Sequence, residues 1–271
     1  MASEREGAGG YAQVNGLELY YERHGEGAPL ILLHGGLGAG QMYAEGLLPS
    51  LAAGCEVILV DMQGHGRTAD IDRPLALEAM ADDVAGLIQH LGLGRTDVMG
   101  YSMGGGAAVQ TAIRHPQLVR KLVAVSFPIR REAWYPAMLA GMDQMGEATA
   151  EMLKQSPIYA LYAAIAPRPG DWPRLLGKMG ELLRREYDWT ADVAAIAAPT
   201  LVVSGDADSF PTAHAAEIFG LLGGDSHDGG WDGSGMPTSR LSILPATTHY
   251  DIFDSPLLPP IVVAFLDAPA H

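Results

Sequence analysis

Cysteine is almost absent from this sequence, and long apolar runs are missing. Cys55 is the one cysteine among 271 residues, so an internal disulfide cannot form and a metal site built on cysteine pairs is excluded. No apolar run approaches the roughly 18 to 20 residues that span a bilayer. The first ten residues carry charges and lack the apolar stretch of a signal peptide. We therefore expect a cytoplasmic protein with no membrane contact.

Basic residues are also scarce. Lys and Arg total 17 against 32 Asp and Glu, which gives a formal net charge of −15. A chain this acidic, without a basic block, is not expected to bind nucleic acid or an anionic membrane surface. Hydrophobic residues make up 48% of the sequence and charged residues 18%, a balance that disordered chains lack. The length suits one large domain or two small ones with a substantial core.

Short apolar runs alternate with longer stretches of helical periodicity. The runs are continuous, which favours strands buried on both faces of a parallel sheet with helices on each side. These strands are predicted at 30–33, 57–60, 97–100, 122–126, 200–204 and 241–244. Before them, Asn15-Gly16 supplies the positive φ of a tight turn and predicts a β-hairpin over 11–23. Helices are predicted at 42–53, 75–91, 103–114, 212–222 and 256–267.

Two segments do not follow this alternation. Residues 127–192 are rich in Met, Ala, Leu and Pro and contain no strand-like run, so we predict several short helices inserted between two strands. Residues 220–240 are dense in glycine, which holds neither a helix nor a strand and predicts a loop. A loop of this length is either functional or flexible.

The strongest chemical signal is the G-x-S-x-G sequence at residues 100–104. It follows a predicted strand and precedes a predicted helix. A sharp strand-to-helix turn strains the central residue and points its side chain away from the sheet, while the flanking glycines relieve crowding. The Ser102 hydroxyl would also lie at the positive end of a helix. We interpret Ser102 as a nucleophile; the alternative is a turn of small residues that serves packing only.

A serine hydroxyl needs a base to take its proton, and the base needs an orienting acid. Asp206 and Asp208 follow the predicted strand at 200–204, and His249 follows the one at 241–244. In open parallel sheets ligands bind at the carboxyl ends of the strands. Nucleophile, acid and base therefore occur in the chain order Ser, Asp, His that a G-x-S-x-G elbow requires.

These segments resemble the α/β-hydrolase superfamily over nearly the whole chain. Residues 34–38 are similar to its oxyanion loop, residues 61–68 to its D-x-x-G-x-G-x-S turn and residues 100–105 to its nucleophile elbow. The resemblance implies an α/β fold, with a mostly parallel eight-stranded sheet flanked by helices and an inserted helical cap. It places the core at 11–127 and 193–268 and the cap at 128–192.

The resemblance also implies roles for individual residues. Ser102 would attack a carbonyl carbon, and His249 would accept its proton and pass it to the leaving alkoxide. Asp208 would orient the imidazole and stabilise its charged form. The backbone N–H groups of Gly36 and Met103 would hold the oxyanion.

The identity of the acid stays open at this point. The family's acid lies shortly before a proline, which favours Asp208, and Asp206 is the rival. The other role for Asp206 is to cap the turn at the strand end through backbone N–H groups.

The cap would supply the pocket walls. We expect Leu37, Trp134, Met138 and Met142 to contact the substrate, in a deformable apolar lining that extends to Met145, Met152, Tyr159 and Tyr162. The same side chains could instead pack the cap against the core. A pocket of this composition favours a small or medium neutral carboxylic ester or a lactone.

The predicted function is therefore a serine hydrolase that acts on a small-molecule substrate through an acyl-enzyme, without cofactor or metal, as a monomer or a homodimer. Rivals on the same residues are a C–C bond hydrolase and a perhydrolase, in which peroxide intercepts the acyl-enzyme. A rival of another class is a hydrolase-like receptor that binds a small signal and turns it over slowly. The fold itself does not choose among these chemistries.

The remaining polar residues have less specific interpretations. His34 and His65 are expected to brace their loops, and His214 either approaches the pocket or is capped or exposed at a helix start. The glycine-rich segment could gather a cation, although its spacing fits no common motif; its acidic and histidine side chains are Asp225, His227, Asp228 and Asp232. Trp231 and Met236 could close over the site as a flap, or Trp231 could be anchored in a surface groove.

Overall fold

The computed structural model of the protein describes residues 8–269. Within this range eight strands form one sheet in the spatial order β1-β2-β4-β3-β5-β6-β7-β8. The strands are β1 (Ala8–Val14), β2 (Leu17–His24), β3 (Ala28–Leu33), β4 (Cys55–Asp61), β5 (Thr96–Tyr101), β6 (Val119–Val125), β7 (Thr200–Ala207) and β8 (Arg240–Thr248). β1 and β2 pair antiparallel through a turn at Asn15 (φ 48°) and Gly16 (φ 79°), and β2 runs antiparallel to β4. The pairs from β4 to β8 are parallel, so the predicted α/β fold with its hairpin is confirmed.

The central strands are apolar throughout because both faces of the sheet are covered. Ile31 and Leu33 of β3 point into one hydrophobic cluster, and Leu30 and Leu32 point into another on the opposite face. Each of these side chains is fully buried, and burying one leucine or isoleucine stabilises the fold by roughly 1.5–3 kcal/mol. A continuous apolar run is thus what a strand between two helical layers requires.

Ten α-helices complete the part of the chain that the structure describes. They are α1 (Leu47–Ala52), α2 (Leu77–His90), α3 (Met103–Arg114), α4 (Pro136–Gln144), α5 (Ala150–Leu153), α6 (Pro157–Ile165), α7 (Trp172–Leu183), α8 (Thr190–Ala194), α9 (Thr212–Leu221) and α10 (Leu258–Asp267). The helix predicted at 42–53 is instead a 3₁₀ turn at Gly40–Tyr43 followed by the short α1. Pro49 explains the break, since its ring clashes with the carbonyl four residues earlier.

Helices α4 to α7 follow β6 and form the cap, whereas α8 follows the cap and packs against α3 and α9 before β7 begins. Several begin with proline in their first turn, as at Pro136 and Pro157, where the missing N–H costs nothing. This is why a proline-rich segment yields several short helices. The chain enters and leaves the cap as a paired ribbon, with Arg131 N–H donating to the Tyr187 carbonyl (3.0 Å) and Trp189 N–H to that of Ile129 (2.9 Å). The boundaries assigned above to core and cap stay a prediction.

A buried ion pair ties the cap to the core. Lys178 of α7 donates to both carboxylate oxygens of Asp70 (2.9 and 2.7 Å) and to the carbonyls of Ile71 and Arg73. Both charged groups are largely buried, and their full set of partners offsets the desolvation penalty of such a pair. The cap is therefore held over the loop that follows β4.

The glycine-rich segment contains neither helix nor strand between α9 and β8. Trp231 is fully exposed, so it is neither anchored in a groove nor folded over the cap. No helix within residues 8–269 combines the length and the apolar character that crossing a membrane requires.

Candidate active site

Ser102 lies at a strained turn between β5 and α3. Its φ of 53° and ψ of −122° are unusual for a residue with a side chain. The neighbouring glycines are required sterically: a Cβ at Gly100 would lie 1.9 Å from the Gly104 carbonyl oxygen, and one at Gly104 would lie 2.5 Å from the carbonyl oxygens of Leu33 and His34. Only glycine lets the first turn of α3 come this close to β3 and β5.

Three side chains from different strand ends form one hydrogen-bonded chain. Ser102 Oγ is 3.1 Å from Nε2 of His249, and Nδ1 of His249 is 2.9 Å from Oδ1 of Asp208. An ionised Asp208 only accepts, so Nδ1 carries the proton and Nε2 is free to accept from the Ser102 hydroxyl. The structure thus brings together the three residues predicted from the sequence, at the carboxyl edge of β5, β7 and β8.

The Asp208 carboxylate accepts four hydrogen bonds. Oδ1 accepts from His249 and from the Ser209 N–H (2.7 Å), and Oδ2 accepts from the Ser126 hydroxyl (2.5 Å) and the Gly205 N–H (3.1 Å). Burial alone would raise the pKa of Asp208, but the hydrogen bonds from His249, Ser126 and Ser209 outweigh it and hold the pKa below its ordinary value. The carboxyl group is therefore ionised at neutral pH.

Asp206 makes a different set of contacts. Its two carboxylate oxygens accept from the backbone N–H groups of Ala246 (3.0 Å) and Thr247 (3.2 Å). It caps the turn that leads to His249, which is the alternative role that its place after a strand end predicts. The structure places Asp208, and not Asp206, against the imidazole.

The loop after β3 faces the start of α3. A Cβ at Gly36 would lie 3.8 Å from the Cβ of Met103, and one at Gly35 would lie 3.6 Å from the Cβ of Ser102. Among the described residues, no hydrogen bond is donated by the backbone N–H of Gly36 or of Met103. Both residues line the cavity beside Ser102, and Met103 is the first residue of α3, where a backbone N–H favours an anion.

Two buried histidines lie at the base of this loop, and one of them, His34, is its first residue. His34 Nδ1–H donates to the Gly35 carbonyl (2.7 Å), and its Nε2 accepts from the Met62 N–H (3.0 Å). The ring of His65 lies 5.1 Å from that of His34. Burial lowers the pKa of His34 to about 4 and that of His65 to about 3. Both histidines are therefore neutral structural groups, as expected from the sequence.

A cavity of about 690 Å³ opens above Ser102 and His249. The four side chains expected to contact the substrate, Leu37, Trp134, Met138 and Met142, lie in its wall, together with Met42, Met103, Met145, Met179, Leu161, Leu182 and Phe127. Such a volume and such an apolar lining are typical of small-molecule sites. The arginines in the wall are paired with carboxylates, Arg131 with Asp143 and Glu186 and Arg185 with Glu78.

Comparison with known proteins places this geometry in a family. A family model described as alpha/beta hydrolase fold matches residues 28–163, about half of the chain. The chain belongs to this family. A non-heme haloperoxidase from Rhodococcus erythropolis is 29% identical to this α/β-hydrolase over 263 residues, which cover 87% of this chain and 90% of the relative. RutD of Azorhizobium caulinodans, named as a candidate carbamate hydrolase, is 36% identical over 116 residues and 43% of each chain, so the match spans less than half of that relative.

A solved structure shows the same fold. The enol-lactonase from Burkholderia xenovorans superposes on the hydrolase with a TM-score of 0.69 at 24% sequence identity, covering 95% of this chain and all of that one. At this identity the likeness establishes the fold and not the substrate.

Part of the predicted lining is wrong. Met152 is exposed, and Tyr159 and Tyr162 pack on the ring of Trp172 with centroid distances of 5.3 and 5.0 Å, not on the cavity. Composition alone predicts a place in the lining for all three, and composition does not say which face of a short helix turns inward. Trp134 contacts His249, with the two ring centroids 5.5 Å apart.

Two contacts of the site in this hydrolase were missed by sequence reasoning. The Tyr101 hydroxyl donates to the backbone carbonyl of His249 (2.7 Å), and the Ser126 hydroxyl donates to Asp208. A signal for Ser126 was present, since a hydroxyl residue directly after a strand lies at the sheet edge where ligands bind.

His214 and the acidic side chains of the glycine-rich segment do not belong to this site. His214 is buried, not exposed at a helix start; its Nε2 accepts from the Ile129 N–H (3.2 Å), and its Nδ1 bonds Glu217 (2.8 Å). It therefore holds the chain where it enters the cap. Over residues 8–269, no three His, Cys, Asp or Glu side chains are grouped so that they could hold a metal ion, which leaves the cation alternative for the glycine-rich segment without support.

Proposed function

We propose that this α/β-hydrolase is a serine hydrolase that cleaves a small or medium, neutral carboxylic ester or lactone through an acyl-enzyme at Ser102. The observation that carries the proposal is the hydrogen-bonded series from the Ser102 hydroxyl through His249 to Asp208. Ser102 and His249 lie in the wall of an apolar cavity. A hydroxyl with a base at 3.1 Å and an acid behind that base is the arrangement that activates a serine.

Acylation follows from the positions of these atoms. Ser102 Oγ attacks the carbonyl carbon while its proton passes to Nε2 of His249. Charge develops on the carbonyl oxygen, and the N–H groups of Gly36 and Met103 stabilise it; in comparable sites one such donor contributes roughly 2.7–4 kcal/mol. The imidazolium that forms is held by the Asp208 carboxylate, and it then protonates the leaving alkoxide.

Deacylation repeats these steps with water. His249 takes a proton from the water as its oxygen attacks the acyl carbon. The tetrahedral intermediate collapses, the acid leaves, and the proton returns to Ser102 Oγ. One nitrogen carries the proton in both steps, because Nε2 of His249 lies against Ser102 Oγ while Nδ1 is bonded to Asp208.

The cavity supports a neutral, largely apolar substrate. Six methionines line it, and methionine adapts its shape to irregular ligands. Arg131 and Arg185 are already paired with carboxylates, so an anionic substrate would have to displace a protein partner. The net charge of −15 opposes polyanions as well.

The test is hydrolysis by Ser102→Ala. This variant keeps the Cβ and the strained backbone but has no nucleophile, so we expect loss of p-nitrophenyl ester hydrolysis at an unchanged melting temperature. A fluorophosphonate probe should label the native protein on the peptide that contains Ser102. Turnover retained by Ser102→Ala, or label on another peptide, would refute the assignment.

The haloperoxidase relative favours a second activity, perhydrolysis. In this reaction hydrogen peroxide replaces water, attacks the acyl-enzyme and leaves as a peracid, while His249 accepts the peroxide proton and returns it to Ser102. Peracid formation from acetate or an acetate ester plus peroxide would reveal it. The same panel, extended with lactones, carbamates and a vinylogous diketone, separates the ester, lactone, carbamate and C–C bond reactions. A receptor would instead show very slow turnover and a ligand-dependent rise in melting temperature.

A further inference from the structure

Ser126, which has no role in the proposed reaction steps, has an unusual backbone conformation. It directly follows β6, is fully buried and has a φ of 53°. A residue with a side chain is strained in this conformation, and such residues persist where the surrounding structure holds them in place. Leu37 after β3 and Ser102 after β5 have the same sign of φ, so three strand ends around the site share this feature.

The sheet places Ser102, Ser126 and Asp208 in a row. Ser102 N–H donates to the carbonyl of Val125, the last residue of β6, and Ser126 N–H donates to the carbonyl of Val203 in β7 (both 2.9 Å). The backbone of each strained residue is therefore hydrogen-bonded to the neighbouring strand. The left-handed turn at the end of β6 brings the Ser126 hydroxyl to the carboxyl edge of the sheet, where Asp208 lies.

The hydroxyl of Ser126 makes a single, short contact with Asp208. It donates to Oδ2 at 2.5 Å, a distance typical of a bond to an ionised acceptor. Within residues 8–269, the one other donor to Oδ2 is the Gly205 N–H at 3.1 Å. Ser126 and Gly205 thus hold one carboxylate oxygen, which leaves Oδ1 to face His249.

We propose that Ser126 is a positioning residue for the hydrolytic reaction: its hydroxyl fixes the Asp208 carboxylate so that Oδ1 is presented to His249. This inference rests on the proposed function. Without the Ser126 hydroxyl, Oδ2 keeps one long hydrogen bond, from the Gly205 N–H. The remaining backbone restraint is the Ser209 N–H on Oδ1, and the carboxylate can then rotate about its side-chain torsion. His249 then spends less time with Nε2 aimed at Ser102.

The inference predicts a specific kinetic change. Ser126→Ala keeps a Cβ but removes the donor, so kcat should fall by roughly 10- to 100-fold, as for loss of a hydrogen bond to a charged group. KM should stay within about twofold, since ground-state binding is untouched when only a transition-state contact is lost. In the molecules in which Oδ1 still faces His249, removing a donor to the carboxylate makes it more basic and favours the imidazolium beside it. The acid limb of the kcat/KM profile, which reports the coupled pair, should therefore move to higher pH.

The chain offers a matched control in Ser204. This serine of the neighbouring strand β7 is fully buried, and its hydroxyl has no hydrogen-bond partner among the described residues. Ser204→Ala removes the same atom at a similar depth and should leave kcat, KM and the pH profile unchanged. A second variant, Ser126→Gly, removes the hydroxyl and also relieves the backbone strain, because glycine adopts positive φ freely.

The experiment measures kcat, KM, the pH profile and the rate of fluorophosphonate labelling for the native protein, Ser126→Ala, Ser126→Gly and Ser204→Ala. Equal loss in both Ser126 variants, with an upward shift of the acid limb, supports the inference. A kcat equal to that of the native protein, with an unmoved acid limb, in either folded Ser126 variant would overturn the inference. Ser126→Gly keeps the test valid should Ser126→Ala not fold. Failure of the proposed function is distinguishable, because then not even the native protein is labelled at Ser102.

Discussion

Acidification should destabilise the protein through two buried histidines, His34 and His65, at the base of the loop at residues 34–38. Met62 N–H donates to Nε2 of His34, so a proton on that nitrogen would face another donor. Nε2 of His65 is buried with no partner among the described residues, and the two rings are 5.1 Å apart. Neither ring can be protonated without losing a hydrogen bond, desolvating a charge or meeting a like charge.

The magnitude follows from the pKa values. In the folded protein the pKa is about 4 for His34 and about 3 for His65, while an unfolded histidine has a pKa of about 6.5. Between these values the unfolded chain binds more protons, so stability is full above about pH 6.5 and falls as the pH drops towards the folded pKa. Going from pH 7 to pH 5 should cost about 2 kcal/mol per histidine, hence about 4 kcal/mol for the pair. That is a large part of the 5–15 kcal/mol that is usual for a domain.

The assay is urea unfolding of the native protein and of His65→Asn at pH 7, 6 and 5. Asparagine can still donate to the Gln63 carbonyl, which His65 Nδ1 contacts at 2.8 Å, and it does not titrate. The fall in unfolding free energy between pH 7 and pH 5 should shrink by about 2 kcal/mol in this variant. Exposed His90 supplies the control: His90→Gln should leave the fall unchanged. An identical pH dependence of His65→Asn and native protein would refute the reasoning.

Two further predictions concern stability. Gly104→Ala should prevent a folded product, because its Cβ would lie 2.5 Å from two carbonyl oxygens at the end of β3. Gly220→Ala, which places its Cβ in open space on α9, should instead raise the unfolding free energy by roughly 0.5–1 kcal/mol. Circular dichroism and thermal melts compare the two variants, and a well-folded Gly104→Ala would contradict the steric argument. Lys121→Met should lower the unfolding free energy by about 2 kcal/mol or more. The buried ammonium donates to three backbone carbonyls at the end of α10, and these would lose their partner. Urea unfolding measures the change, and an unchanged midpoint would count against this role of Lys121.

Much of the site could be read from the order of short motifs. The elbow at residues 100–104 is predictable because steric crowding allows only glycine at Gly100 and Gly104. A requirement of this kind fixes the residue type at a single position, so it is visible in the sequence. Asn15-Gly16 predicts its hairpin for the same reason. The continuous apolar runs indicate a sheet covered on both faces, since a strand with one solvated face would alternate.

Other features depend on which atoms meet across the sheet. The choice between Asp208 and Asp206 needs the path of the chain after β7, because the two carboxylates are two residues apart and only one reaches His249. The buried position of His214 and the inward turn of Tyr159 and Tyr162 towards Trp172 likewise arise from packing of the cap. Short helices without a clear apolar face carry little information on orientation.

The sequence alone determined the α/β class, the strained serine turn and the three chemical groups at the site, because local backbone geometry and hydrophobic burial constrain residue types at each position. Tertiary structure decided which carboxylate serves the imidazole and that Ser126 holds it. It also decided that the cap encloses an apolar cavity of about 690 Å³. Those outcomes depend on distances between residues far apart along the chain, such as the 82 positions that separate Ser126 from Asp208, and no local pattern encodes them.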